Sequence, residues 1–382
     1  MRIQVRLPKV EAEEYVWPRE CPYDDCDGQH FKAHGSRGEC KAIRDPQIKE
    51  VVAYRYKCLQ CGRTFRVYPR GVSRDQQSDR LKAISVFLYV LGLSYGVVED
   101  FMVALGISLG KTTVYENVQA AGASSRQRQQ ADLSQGNQRL VIGSDGTYVK
   151  VKGEKVGVQV VVDDQDSDLL GLEIVVSENV EEVKRLIQAV AEQVSAEVLV
   201  SDDLNTYKSV ADALNLEHQV CRSHVKRNVD DLAAELNAHL DQAASPPEGV
   251  DLSADDVRKH LEQVRLLVGE RPEDGEEQLA SLYQRYHKVR QPPVGQKHTP
   301  WYRMRMLITR LWERWPRLTL DQRRDDLDGT NNSSERLIGW WVKERYRTMR
   351  GYKRNESILN VVTLTARMGA RSGSYDMAEL YA

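Results

Sequence analysis

A series of β-rich runs between residues 140 and 221 constrains the fold of this chain more than any other feature. Leu140–Lys150, Val156–Asp163 and Leu169–Val176 predict three strands separated by short turns. Helices and strands then alternate, with helices predicted over 181–193 and 205–214 and strands over 196–201 and 218–221. A three-stranded meander followed by alternating helices and strands predicts a mixed sheet with helices packed on it.

Three acidic residues occupy informative places in this pattern. Asp145 closes the apolar start of the first strand, Asp202 follows the fourth strand, and Glu335 lies in the first turn of a predicted helix. A single acidic residue in such a place is usually a cap or turn residue. Three that converge can hold two divalent cations, which clamp the attacking and leaving oxygens of a phosphoryl displacement. We therefore predict catalytic Asp145, Asp202 and Glu335 that bind Mg²⁺ or Mn²⁺.

Further polar residues follow the second strand end. Asp203 competes with Asp202 as the metal ligand, and its alternative role is to cap the helix that begins near Asn205. Cys221 and His224 form a C-x-x-H pair close to the same end of the predicted sheet. Two ligands do not make a metal cage, so packing and hydrogen bonding near the active site is the favoured role. A second metal site, or contact of His224 with the scissile phosphate, are the alternatives.

Two cysteine pairs predict a zinc site in the first segment. The pairs are Cys21 with Cys26 and Cys58 with Cys61, and strand candidates flank the second pair. Such paired cysteines at hairpin ends form a tetrahedral thiolate cage, the pattern of a zinc ribbon. A disulfide framework is disfavoured because no export signal opens the chain. Cys40 is a spare thiol, and two nearby histidines are alternative ligands: His30 and His34.

Residues 78–122 show helical periodicity with glycines between the apolar runs. A helix, a short helix, a turn at Gly106 and a third helix predict a helix-turn-helix, although a plain helical bundle has the same periodicity. The residues predicted to face the DNA major groove are Lys111, Thr112, Thr113, Tyr115 and Asn117. A polar linker is predicted over 122–137.

The net charge of −2 conceals an uneven distribution. Residues 1–130 carry +5, residues 131–299 carry −13 and residues 300–382 carry +6. Basic ends around an acidic middle suit DNA contacts at the ends, although ordinary surface variation gives similar values. A basic run after Glu335 is predicted to contact DNA phosphates through Arg345, Arg347, Arg350, Lys353 and Arg354.

Residues 225–325 are charged and helical, and we interpret them as an insertion. Three tryptophans near its end lie among arginines: Trp301, Trp312 and Trp315. Aromatic and basic side chains of this kind can stack an extruded base, but packing in a hydrophobic core is the commoner and favoured role. The longest apolar stretch, 83–98, is shorter than the roughly 20 residues of a membrane span. We therefore predict a soluble, intracellular protein.

Four short motifs carry a resemblance to a known family. They are Ser144-Asp145-Gly146-Thr147, the run from Ser201 to Tyr207, Cys221-Arg222-Ser223-His224 and the Asn-rich approach to Glu335 at 331–336. In this order and spacing the chain resembles the DDE transposases of bacterial and archaeal insertion sequences, in the group related to Mutator-like elements. The resemblance covers about residues 20–360, and its motif favours Asp202 over Asp203 because the ligand comes first.

The resemblance implies a multi-domain α/β protein with a ribonuclease-H-like mixed sheet. It also implies a cytoplasmic location in a prokaryote, in association with the nucleoid. The expected domains are a zinc ribbon (1–72), a helix-turn-helix (73–130), a catalytic domain (131–228 and 326–382) and a helical insertion (229–325). Such a transposase binds the terminal inverted repeats of its element and target DNA, works as a homodimer or larger assembly, and cleaves and joins strands with two metal ions. The alternatives are a catalytically silent DNA-binding regulator and a structure-selective nuclease of the same fold.

Overall fold

The computed structural model of the protein describes residues 3–35, 38–136, 138–175, 179–241, 245–348, 351–370 and 374–381. Its strands are β1 Gln4–Arg6, β2 Phe31–Ala33, β3 Glu39–Ala42, β4 Glu50–Cys58, β5 Thr64–Val67, β6 Val141–Val151, β7 Glu154–Asp163, β8 Leu169–Val175, β9 Val198–Ser201, β10 Glu217–Val220 and β11 Ser374–Asp376. Its α-helices are α1 Asp79–Val90, α2 Tyr95–Ala104, α3 Lys111–Ser134, α4 Val180–Val194, α5 Asn205–Leu214, α6 Arg222–Leu240, α7 Ala254–Glu270, α8 Gly275–Tyr286, α9 Pro300–Leu318, α10 Asn332–Leu337, α11 Arg345–Arg347 and α12 Asn355–Ala370. A π-helix, Ile338–Glu344, connects α10 to α11.

The chain divides into two compact units. The first contains Met1–Asp132, Val149–Val156 and Leu337–Ala382, and the second contains Leu133–Tyr148 and Gly157–Arg336. These bounds differ from the predicted domains in two ways. The predicted insertion shares a unit with the sheet, and the segment after Arg336 groups with the N-terminal part of the chain rather than with the catalytic domain.

The second unit is built on a mixed five-stranded sheet in the order β10-β9-β6-β7-β8. β6 pairs with β9 and β9 pairs with β10 in parallel, whereas β7 and β8 are antiparallel. These strands lie within two residues of the sequence-based bounds, and the mixed α/β class is confirmed. β9 is buried along its whole length, as expected for a parallel strand covered by helices.

Helix α4 packs on this sheet through a continuous apolar stripe. Asn179 caps its first turn by accepting a hydrogen bond from Glu181 N at 3.1 Å. The buried residues of α4 recur at helical spacing, as an amphipathic surface helix requires. They form one core with α5 and the sheet, and its members include Ile142, Val161, Ile187, Leu199 and Val210.

The insertion is a bundle of α6, α7, α8 and α9 around its own hydrophobic core. Thr299 caps α9 by accepting a hydrogen bond from Tyr302 N at 3.2 Å, and Pro300 follows at the first helical position. Trp301 and Trp315 are buried in this core, and Trp312 packs partly buried against it. The favoured prediction that the tryptophans serve the core is confirmed.

In the first unit, β4 is the central strand and pairs antiparallel with β2, β3 and β5. The predicted hairpin of residues 51–57 with 64–68 is therefore present as β4 and β5. Helices α1, α2 and the start of α3 lie at the predicted positions, and a positive φ of 76° at Gly106 makes the turn after α2. Leu81, Met102 and Val114 belong to the core that these helices share.

The predicted linker over 122–137 is wrong for residues 122–134, because α3 continues to Ser134. The segment looks polar, but its small residues face a neighbour. A Cβ on Gly122 would lie 2.6 Å from the backbone oxygen of Asn360 in α12. Arg126 donates a hydrogen bond to Asn360 Oδ1 at 3.3 Å, so a close contact between helices holds this part of α3.

Within the described ranges, no helix is both long and apolar enough to cross a bilayer.

Two glycine substitutions test the contact of α3 with α12. We expect Gly122→Ala to destabilise the protein by about 1–3 kcal/mol, because the new methyl group collides with the Asn360 backbone. Gly269→Ala in α7 is the matched control, because no atom lies within 4 Å of its Cβ position. That change should stabilise the protein by up to about 1 kcal/mol through helix propensity. Urea unfolding measures both, and equal effects would contradict the packing described for α3.

Candidate active site

Parallel strands bring two of the predicted carboxylates to one edge of the sheet. Gly143 in β6 pairs with Val200 in β9, and this is the last pair between the two strands. Asp145 and Asp202 each lie two residues further along. The same register therefore puts them side by side on neighbouring strand paths, which are about 4.8 Å apart in a sheet.

The next strand brings a cysteine to the same edge. Val220 in β10 pairs with Ser201 in β9, so Cys221 follows β10 as Asp202 follows β9. Cys221 N donates a hydrogen bond to Ser201 O at 2.8 Å, and helix α6 starts at the next residue. His224 lies in the first turn of α6, three residues after Cys221.

Glu335 reaches the site from α10, and the residues before it fix that helix. Asn331 is fully buried and donates from Nδ2 to Ser144 O at 3.3 Å, directly before Asp145. Ser333 Oγ donates to Asp164 O at 2.6 Å. The Asn-rich segment before Glu335 therefore attaches α10 to β6 and to the loop after β7.

Glu335 lies next to the C-x-x-H pair. Oε1 of Glu335 is 3.4 Å from Nδ1 of His224, and ligand atoms of Cys221, His224 and Glu335 all lie within 4.8 Å of one another. Over the described residues, one other set of three or more potential metal ligands is this close, the four cysteines of the first unit. The predicted set of Asp145, Asp202 and Glu335 does not form such a group, although the three side chains interact electrostatically.

Burial raises the pKa of Asp145 to about 6, and the nearby charges of Asp202 and Glu335 act in the same direction. The Gly146 N–H, 2.7 Å from Asp145 Oδ1, and the His224 side chain oppose this shift. A carboxylate whose pKa is raised by burial and by neighbouring negative charges is held in place at an electrostatic cost. A divalent cation removes that cost, and the oxygen donors present fit Mg²⁺.

Cys221 and His224 influence each other. The Cys221 thiol raises the pKa of His224, and Glu335 and Asp202 add to that effect. Burial raises the pKa of Cys221, but His224 and the N–H of Asn331 outweigh it, so that the pKa of the thiol is lowered. Each of the two groups therefore stabilises the charged form of the other.

Asp203 has a different environment from Asp202. Its carboxylate is buried and forms ion pairs with Arg310 and Arg314 of α9. Arg314 Nη1 also donates to the Asp203 backbone oxygen at 2.9 Å. The predicted capping role of Asp203 is wrong, because α5 has no side-chain cap and its N-cap residue is Leu204. Asp203 supports the site by attaching the insertion to the strand end.

One residue beside the site escaped the sequence analysis. Gln159 in β7 is buried, and its Nε2 donates to Ser144 Oγ at 2.9 Å, Asp145 O at 3.0 Å and Tyr207 Oη at 2.9 Å. It therefore links β6 to α5 behind Asp145. The available signal was a single amide residue inside the apolar run Val158–Val162.

The four cysteines of the predicted ribbon converge. Cys21 Sγ lies 3.8 Å from Cys61 Sγ, and Cys26 Sγ lies 3.8 Å from Cys58 Sγ. Four sulfurs around a tetrahedral ion with bonds near 2.3 Å are separated by about 3.8 Å, so the cluster fits zinc. All four are free thiols rather than disulfides, and Cys40 is an exposed thiol outside the group.

The predicted DNA contacts divide by exposure. Lys111 and Thr112 are exposed at the start of α3, whereas Thr113 and Tyr115 are half-buried. The prediction is wrong for Asn117, whose amide is buried and donates to Gln77 Oε1 at 2.9 Å and to Ser85 Oγ at 3.1 Å. Asn117 lies on the buried face of α3 because it is three residues after Val114.

The basic run after Glu335 divides in the same way. Arg347, Lys353 and Arg354 are exposed, and Arg350 lies outside the described residues. The prediction is wrong for Arg345, whose side chain is buried with its guanidinium 3.8 Å from the centre of the Tyr89 ring. It forms a cation–π contact in the interior of the first unit instead of facing solvent.

Comparison with known proteins identifies the family. The sequence profile described as "Transposase IS66 family" matches residues 76–349, which is more than half of the chain. The chain therefore belongs to the IS66 family of transposases. The prediction of an insertion-sequence transposase is confirmed, and the relation to Mutator-like elements stays a prediction. Comparison with curated proteins gives no match.

Two solved structures with weak similarity are magnesium complexes of the HTLV-2 integrase catalytic core domain. The trimeric form is 14% identical, covers 33% of this chain and 83% of its own, and has a TM-score of 0.21. The dimeric form is 14% identical, covers 33% and 84%, and has a TM-score of 0.20. Similarity at this level supports no conclusion about the site.

Adjacent aspartates give contrasting expectations for stability. Asp203→Asn leaves Arg310 and Arg314 without their buried counter-charge and should cost about 3–5 kcal/mol. Asp202→Asn removes one of several like charges at the sheet edge, so unfolding free energy should stay equal or rise. Urea unfolding of the two variants is the measurement. An equally damaging Asp202→Asn would contradict the division of roles.

The cluster of four cysteines gives a second contrast. Cys58 is fully buried in a small core with Phe31 and Tyr56, so Cys58→Ala should lose zinc and unfold that segment. Cys40→Ala, outside the cluster, should retain both. Zinc content and limited proteolysis within residues 21–68 measure the difference. Normal zinc content in Cys58→Ala would exclude the four-cysteine site.

Proposed function

We propose that this protein cuts the DNA strands at the ends of its own element and joins them to target DNA by phosphoryl transfer. Asp145, Asp202 and Glu335 are the catalytic metal ligands in this proposal. The observation that carries it is the shared register of β6 and β9, which brings Asp145 and Asp202 to one sheet edge within the electrostatic reach of Glu335. Membership of a transposase family supports the choice of DNA as substrate.

The sheet topology supports a ribonuclease-H-like catalytic core. In the order β10-β9-β6-β7-β8, the central strand β6 carries the first aspartate, and the neighbouring parallel strand β9 leads to the second. The third carboxylate comes from a helix beyond an inserted bundle. This is the arrangement that the family resemblance implies.

When bound, a pair of Mg²⁺ ions would neutralise the scissile phosphate and lower the pKa of an attacking water or 3′-hydroxyl. The protein positions the groups around this chemistry. Asn331 holds the start of α10 against Ser144, and Gln159 fixes the backbone of Asp145. His224 Nδ1 lies 3.4 Å from Glu335 Oε1, so an imidazolium there would offset the negative charge of that carboxylate.

DNA recognition belongs to the first unit in this proposal. The four-cysteine cluster would hold zinc and stiffen the ribbon. The exposed Lys111 and Thr112 at the start of α3 suit contact with the terminal inverted repeats, and Arg347, Lys353 and Arg354 suit phosphate contacts. Because both ends of an element must meet, a homodimer or larger assembly is the working form.

A strand-transfer assay on end-bearing DNA with Mg²⁺ tests the proposal. Asp145→Asn and Glu335→Gln should each lower cleavage and joining by at least about a hundredfold while DNA binding is retained. Asp231→Asn is the control, because Asp231 is an exposed carboxylate of α6. It should behave as wild type.

Three other results would contradict the proposal. Specific binding without cleavage under Mg²⁺ or Mn²⁺ identifies a silent DNA-binding regulator. Cleavage without joining identifies a nuclease. Unchanged activity in both variants excludes Asp145 and Glu335 as catalytic residues.

A further inference from the structure

Glu335 of the candidate active site also belongs to a second group of donor atoms, which contains a sulfur, a nitrogen and an oxygen. The ligand atoms of Cys221, His224 and Glu335 lie within 4.8 Å of one another. Cys221 is buried, and the other two side chains are partly exposed. Residues from two separate elements, the start of α6 and α10, are needed to make this group.

The spacing is that of ligands around a small ion. His224 Nδ1 and Glu335 Oε1 are 3.4 Å apart, which is longer than a good hydrogen bond. Two ligands bonded at about 2.0–2.1 Å to a tetrahedral ion are separated by about 3.4 Å. Within the described part of the chain, Nδ1 is shielded from solvent and makes no hydrogen bond of normal geometry.

Two hydrogen bonds fix the position of Cys221. The Asn331 N–H donates to Cys221 Sγ at 3.3 Å, and the Cys221 N–H donates to Ser201 O. Asn331 also precedes the helix that carries Glu335, so a single residue orients two of the three ligands. In metal sites of proteins, hydrogen bonds of this kind typically orient the side chains that bind the metal.

We propose that Cys221, His224 and Glu335 form a second metal site, selective for Zn²⁺ and similar thiophilic cations. A thiolate and an imidazole favour such ions, whereas Mg²⁺ prefers oxygen donors alone. Three protein ligands leave a fourth position open, as in zinc sites that accept water or a small ligand.

Occupation of this site turns strand cleavage off. This consequence rests on the proposed function, because it requires that Glu335 also bind catalytic Mg²⁺. When the Glu335 carboxylate binds an ion beside Cys221, it no longer binds Mg²⁺ together with Asp145 and Asp202. Zn²⁺ is therefore an inhibitor of the Mg²⁺-dependent reaction.

Cobalt binding tests the site without reference to activity. The full chain, with its four-cysteine cluster loaded with zinc, is titrated with Co²⁺, and thiolate-to-cobalt absorption is recorded. Wild type should bind one Co²⁺ with this absorption, and Cys221→Ser and His224→Ala should each weaken binding by at least about tenfold. Cys40→Ser is the matched thiol control, because Cys40 is exposed and lies outside the group.

The outcomes separate the site from the proposed function. Equal cobalt absorption in wild type, Cys221→Ser and His224→Ala overturns the metal site. Loss of absorption in both variants supports it, even if wild type never cleaves DNA, and in that case the proposed function alone fails. Where wild type cleaves, Zn²⁺ should inhibit it about tenfold or more and leave Cys221→Ser nearly unaffected. Equal inhibition of both overturns the inhibitory role.

Discussion

The cost of keeping carboxylates near one another in a partly buried place is the constraint on which the candidate active site depends. Asp145 is half-buried, so desolvation makes its negative charge costly, and the charges of Asp202 and Glu335 add to that cost. Without rigid support these side chains would move apart or take up protons. The register of β6 with β9 and the buried Asn331 before Glu335 supply that support from the backbone side.

The helical insertion is part of this support. Arg310 and Arg314 of α9 form ion pairs with Asp203 and donate hydrogen bonds to its backbone oxygen, directly after Asp202. A hydrophobic core that includes Trp301 and Trp315 fixes α9 within its bundle. The charged segment that the sequence analysis interprets as an insertion is therefore attached to the end of β9 beside Asp202, and it belongs to the same compact unit as the sheet.

Periodicity and strand order were enough to predict the sheet, its helices and the acidic residues at its edge, because each depends on local pattern. Pairwise contacts were not predictable. Nothing in the sequence indicates that Asp203 meets two arginines over a hundred residues away, or that Arg345 stacks on Tyr89 rather than facing solvent. The linker prediction failed for α3 because small residues that pack closely, such as Gly122, have a weak apolar signature.

The adjacency of Asp202 and Asp203 has a consequence for how this sequence can vary among its relatives. Asp202 interacts with Asp145, whereas Asp203 forms ion pairs with the arginines of α9, so the two carboxylates have different partners. A slip of one residue in β9 would move both carboxylates away from their present neighbours at once. Substitutions elsewhere in β9 can accumulate, but insertions and deletions there cannot. Aligned relatives should therefore run without gaps from Val198 to Asn205 while their apolar residues drift.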